Sequence, residues 1–225
     1  MNTQKIKEII DRLNQVQEEL MSVPEDMLLS INPQDNESVE DVSEKIQSFN
    51  HLNEEFSTKS AEIIREIRDF YDIGSEAETM DVESFSSEPD SRIIRELDKT
   101  VAHSIDENFT YKRPYGFVLD DVAMKEIKTW KNLFIQVLKI MHEKYPEKFD
   151  NIDEVPTFTS NRGSKLFSKS PKDLRIAEQF TEDLYVEINL SAKSLMSYLQ
   201  LVMQYLGYDK SDIKIYLRED RDSNE

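Results

Sequence analysis

Asp121, followed by Glu126-Ile127-Lys128, comes nearest in this chain to a catalytic pattern. An acid pair on a predicted strand, with a lysine two residues after the second acid, is how some nucleases hold magnesium and orient water. The spacing is shorter than such sites use, and Glu-x-Lys recurs by chance in a chain that is 33% charged. Turn aspartates beside a solvated strand face explain the same residues, so a magnesium-dependent nuclease is the third of three functional readings. His51, His103 and His142 stand at no metal-ligand spacing from one another, and His142, between Met141 and Glu143, reads as a surface position on a helix. Four isolated glycines make neither a G-x-G-x-x-G turn nor a phosphate loop. Cysteine is absent, which removes thiolate ligands, thiol nucleophiles and disulfides together. The expectation is therefore a protein with no enzymatic activity, no cofactor, no metal site and no evident small-molecule substrate.

The second candidate is a basic segment. Arg162, Lys165, Lys169, Lys172 and Arg175 are answered within it by Asp173 alone. Such an excess is unexpected in a chain of net charge −18. Five cations could contact a phosphate backbone, with Phe158 or Phe167 turned outward to stack on bases. Two other readings compete: the segment answers an acidic protein surface while both phenylalanines pack inside, or it is an exposed loop without a partner.

The acidity itself is unevenly distributed. Of 46 acidic and 28 basic residues, positions 1–91 hold 23 and 7, and positions 92–225 hold 23 and 21. The first part would repel a phosphate backbone. It reads chiefly as a solvated helix surface, with a surface shaped for a basic partner, or one mimicking nucleic acid, as the functional alternative.

All four glycines lie at or beyond Gly74, and the residues before it carry apolar side chains at three-four spacing. Ile6, Ile9, Leu13, Val16, Leu20 and Val23, widened by Ile10, form a coiled-coil-like stripe that Pro24 is expected to end. A second helix is predicted from a capping box at Ser38-Val39-Glu40-Asp41. Its seam is Val42, Ile46, Phe49, Asn53, Phe56, Ser60, Ile63, Ile67 and Phe70. Asn53 either fixes register as a lone seam amide in a dimeric zipper or, as Leu52 rotates the stripe, lies at its edge, the second being the expectation. At 1.5 Å per residue the arms measure roughly 30 and 50 Å. The longer arm then leaves Ile63, Ile64, Ile67 and Phe70 uncovered, and these are the predicted contacts for a protein partner or a second copy.

Gly74–Ser91 has six acidic residues and no base, and is expected to be a flexible linker, with Met80–Phe85 as an alternative docking motif. Beyond it, a helix over Arg92–Ile105 is predicted, then strands Tyr115–Leu119 and Met124–Ile127 around an Asp120-Asp121 turn. Thr129 should cap a helix with the face Trp130, Leu133, Phe134, Val137, Leu138 and Met141, stopped by Pro146. A hairpin of Thr157–Ser160 and Lys165–Ser168, a strand Leu184–Ile188, a helix Ala192–Leu206 between Ser191 and Gly207, and a strand Asp212–Leu217 complete the chain.

The expected fold is α+β: a long antiparallel helical hairpin over 1–73, an acidic linker over 74–91, and over 92–225 a mostly antiparallel sheet covered by helices. No apolar run is long enough to span a membrane, and the composition fits a cytoplasmic protein. The leading functional expectation is a non-enzymatic adaptor that assembles through helices 1–72, either with a protein partner or with itself. The alternative is a nucleic-acid-binding accessory factor that uses the 161–175 segment.

Overall fold

The computed structural model describes residues 3–29, 36–71, 90–160 and 163–222. The chain is α+β and divides into two compact units, Met1–Ser87 and Glu88–Glu225. All of the expected linker except Asp90 and Ser91 lies outside the described residues, as does Arg162.

The first unit is a helical hairpin of α1 (Thr3–Leu29) and α2 (Asn36–Tyr71). Ile6 and Ile10 near the start of α1 pack on Ile64 near the end of α2, and Asn53 donates to the Met21 sulfur at 2.9 Å, so the pairing is antiparallel. Three sequence expectations are corrected. Pro24 does not end α1, which runs on to Leu29 although the missing N–H forfeits the bond to the Leu20 carbonyl. The α2 helix begins at Asn36, so Ser38–Asp41 lies inside it and does not cap it. The return arm is therefore 27 residues, about 40 Å, and it reaches Ile64. That residue is only 4% exposed under Ile6 and Ile10, and Ile67 and Tyr71 lean on the same cluster. The supposed uncovered end of α2 is thus closed by its own chain.

Part of the seam is also turned by one residue from the expected line: Asn53 and Ser60 keep their places, while Ser57 and Ile64 replace Phe56 and Ile63. The buried positions on α2 are Asn53, Ser57, Ser60 and Ile64, while Ile63 and Phe70 are exposed. On α1, Ile6 and Ile10 are buried while Ile9 and Val16 are exposed. Both helices are apolar at two adjacent heptad positions, and a two-helix pair can bury only one of them fully. Asn53 is in the seam itself, and Leu52 beside it is exposed.

The second unit opens with α3 (Asp90–Leu97), which ends well before the expected Ile105. After a turn over 98–100, the backbone of His103 exchanges hydrogen bonds with Ile215 at 2.8 and 3.0 Å, so the strand ladder takes the donors that a longer helix would have used. The strands β1 (Pro114–Leu119) and β2 (Val122–Lys125) then form a hairpin. They are followed by α4 (Trp130–Lys144), α5 (Pro146–Phe149), β3 (Phe167–Ser168), β4 (Ala177–Gln179), β5 (Tyr185–Glu187), α6 (Ala192–Leu206), β6 (Ile213–Leu217) and α7 (Arg218–Asp222). Two antiparallel three-stranded sheets result, ordered β2-β1-β6 and β3-β5-β4.

Local signals explain most of these elements. The Thr129 hydroxyl accepts from the Asn132 N–H at 3.2 Å and Ser191 from Ser194 N–H at 3.2 Å, each satisfying a helix-end donor. Pro146 starts α5 where α4 has stopped, and Gly207 takes the left-handed conformation that ends α6. The first sheet is covered on both sides. Phe117 and Leu119 join α4 and α6 in the main core, while Ile93 and Leu97 of α3 press on Tyr115, Val118 and Tyr216. At Gly116 the strands run so close that a Cβ would sit 2.4 Å from the Met124 carbonyl oxygen. The expected hairpin at 157–168 is only partly present. Thr159 and Lys165 form one bridge, Pro156–Phe158 is a 3₁₀ turn, and β3 pairs with β5 instead.

Candidate functional site

The acid pair of the nuclease reading is separated by the hairpin that carries it. Leu119 pairs with Val122, which leaves Asp121 in the turn, and Glu126 follows the far end of β2. Five extended residues span about 16 Å, too far for two ligands of one ion. Glu126 and Lys128 are exposed, and among the described residues no group of three acids or histidines could hold a metal.

The histidines occupy three unlike settings. His51 is exposed and faces Glu55 at 3.5 Å on the same helix. His142 is not a free surface position: its ring meets Phe149 and Phe180 edge-on, with centroids 5.3 and 5.5 Å away. His103 is held at both nitrogens, Nδ1 by Glu107 at 2.8 Å and Nε2 by Asp220 at 2.7 Å. Burial alone would pull its pKa down, but the bonds to the two carboxylates outweigh it and raise the pKa above the ordinary imidazole value. Glu107 is correspondingly lowered, first by the bond to His103 and then by the Ser104 N–H. Through Asp220, and through Glu219 on Arg113 at 2.9 Å, this pair of acids ties α7 to the segment ahead of β1. The i,i+4 spacing of His103 and Glu107 is visible in the sequence, whereas Asp220, 117 positions away, is not.

The basic segment is largely answered from within its own unit. Lys165 lies 3.6 Å from Asp173 and Lys169 lies 3.7 Å from Asp153. Lys172 and Arg175 are exposed. Phe158 and Phe167 are each 1% exposed and pack edge-on against one another, so neither offers a stacking face. The chain beside Arg175 is pinned by the buried Glu187, whose carboxylate accepts from the N–H groups of Arg175, Ile176 and Asn189. Sequence reasoning passed over Glu187, which looks like an ordinary strand acid.

The helical hairpin carries the most unusual surface. Beside the closed seam, Ile9 (47%), Val16 (43%), Ile63 (50%) and Phe70 (80%) are open to solvent, and Leu52 stands near them. Each of Ile9, Ile63 and Phe70 precedes a seam residue by one: Ile10, Ile64 and Tyr71. In an antiparallel pair, positions equivalent in this way fall on the same side of both helices. The half-buried Val23, Phe49 and Phe56 continue the two rows at seven-residue intervals. The result is one apolar face contributed by α1 and α2 together. Of the four predicted contacts, Ile63 and Phe70 belong to it, and Ile64 and Ile67 belong to the seam beneath.

Comparison with protein-family models, with curated proteins and with solved structures finds no match to this chain. No described helix is long and apolar enough to cross a membrane.

Proposed function

We propose that this protein is a non-enzymatic assembly component that associates through its N-terminal hairpin. The observation that carries the reading is the exposure of Ile9, Val16, Ile63 and Phe70 on one side of a helix pair whose seam is already closed. An isolated apolar side chain on a surface needs no explanation, but a row at heptad spacing on two neighbouring helices is half of a helical bundle. Fully burying side chains of this size is worth about 1.5–3 kcal/mol each, so covering four of them is a substantial driving force. The second unit, with its first sheet covered by helices and Lys165 and Lys169 answered by its own acids, supports a role as a structured load that the hairpin gathers.

The test is to replace Ile9, Val16, Ile63 and Phe70 together by glutamine in the full-length chain. Helical content should be retained, because the Ile6, Ile10 and Ile64 seam is untouched, while association in solution is lost. Should the substituted chain keep the mass and the co-purifying proteins of the parent, the hairpin face is not an assembly surface.

A further inference from the structure

Resting on that assembly reading, we infer that the occupant of the hairpin face is a second copy of the same hairpin, related by a twofold axis parallel to the helices, so that four helices form an antiparallel bundle. The argument comes from the charges along the outer borders of the face. On α1 that border runs Lys5, Arg12, Glu19, Asp26, each at seven-residue spacing and next in angle to Ile9, Val16 and Val23. On α2 it runs Lys45, Leu52, Lys59, Glu66. Both rows change sign along their length, and they do so in opposite senses relative to the apolar face.

The packing sets the levels at which these charges stand. Ile10 is level with Ile64, and Met21 is level with Asn53. Glu66 therefore stands at a height between Lys5 and Arg12, Lys59 between Arg12 and Glu19, and Lys45 just beyond Asp26. A twofold axis along the helices changes no height, and it lays α1 of one copy over α2 of the other. The α1 border of one copy then runs beside the α2 border of its mate. Lys5 and Arg12 flank the second copy's Glu66, and Glu19 and Asp26 meet the second copy's Lys59 and Lys45; against these four opposite-sign neighbours stands one like-charged neighbour, Arg12 beside Lys59. Ile9 comes down between the second copy's Ile63 and Phe70, and Val16 between its Ile63 and Phe56.

Alternative pairings fit less well. A twofold axis across the helices lays α1 on α1; centred on the exposed apolar cluster, it sets Arg12 against Arg12. A uniformly basic partner helix would suit Glu19, Asp26 and Glu66 but would meet Lys5, Arg12, Lys45 and Lys59 with like charge. The surplus acids of the hairpin do not oppose self-pairing, because Asp11, Glu18, Glu25 and Glu54 each follow a seam position by one and fall on the back. The borders are mixed in sign where a second copy needs them mixed.

The experiment is light scattering and sedimentation of the full chain, the parent beside its charge variants. The parent should weigh twice 26.5 kDa. Glu66→Lys alone, and Lys5→Glu with Arg12→Glu, should each raise the dimer dissociation constant about tenfold or more, and the triple variant should restore it. A monomeric parent at every concentration overturns the inference, as does a triple variant no tighter than either partial one. The assembly reading is judged separately with Ile63→Gln plus Phe70→Gln. If the parent is monomeric yet this variant loses a protein recovered with the parent, self-pairing is wrong and assembly through the face survives. If the parent is dimeric and this variant remains so, both fail.

Discussion

Replacing Ser57 and Ser60 by alanine should strengthen the hairpin, an outcome opposite to most buried substitutions. Both residues are 1% exposed in the seam of α2, and neither hydroxyl oxygen has a hydrogen-bond partner among the described residues. A buried hydroxyl without a bond costs roughly 1–3 kcal/mol by mutational measures. Alanine is also the better helix former, by about half a kcal/mol at each site. Against this stands only the loss of one oxygen's packing contacts, well under 1 kcal/mol per site. The double variant is thus expected to gain about 2–5 kcal/mol. Urea titration can read the hairpin separately, because the single tryptophan, Trp130, is buried in the other unit. Its fluorescence should follow the second unit and stay unmoved, while the helical circular dichroism of the hairpin shifts to higher urea. A hairpin transition that stays in place or moves down would mean that the two hydroxyls are bonded, and the polar seam would have to be reinterpreted.

Three further outcomes follow from individual sites. Because the His103 pKa is raised in the fold, its stabilisation is complete below the unfolded value of 6.5 and is lost as pH rises through the folded value; thermal melts of His103→Gln should lack the decline that the parent shows across that range, and parallel curves would refute the clamp. Gly116→Ala should destabilise the second unit by roughly 1–3 kcal/mol or more in the same urea assay, since a Cβ there meets the Met124 carbonyl oxygen at 2.4 Å. Glu126 is exposed at φ 65°, so Glu126→Gly should stabilise by up to about 1 kcal/mol, and the same variant retains any metal-dependent cleavage of nucleic acid only if Glu126 holds no metal.

Legibility in the sequence followed the range of the deciding interaction. The face of α4 from Trp130 to Met141, the Thr129 and Ser191 caps and the Gly207 terminus were all readable, because each depends on residues within a turn or two. The seam of the hairpin was not. With apolar residues at two adjacent heptad positions, the choice between Ile63 and Ile64 is made by the other helix, and Ser57 is a seam residue in place of Phe56 only because of that choice. Pro24 misled for a related reason: its local penalty is real, but packing of the following turns carries α1 past it. The strand at Phe167–Ser168 was readable as a strand but not its partner, which lies on β5 and not across the nearest turn. The hairpin itself was legible as two long helices; the position of its open apolar face required the register between them.

The order of the first sheet sets a timetable for synthesis. Its central strand, β1, waits for β6, while α1 packs on α2, which ends at Tyr71. Roughly 150 residues separate Tyr71 from Leu217, so at about 5–20 residues per second the hairpin is finished some 7–30 s before that sheet can be completed. Two nascent chains on one message would thus carry folded hairpins side by side for many seconds, long enough to join before either has a finished body.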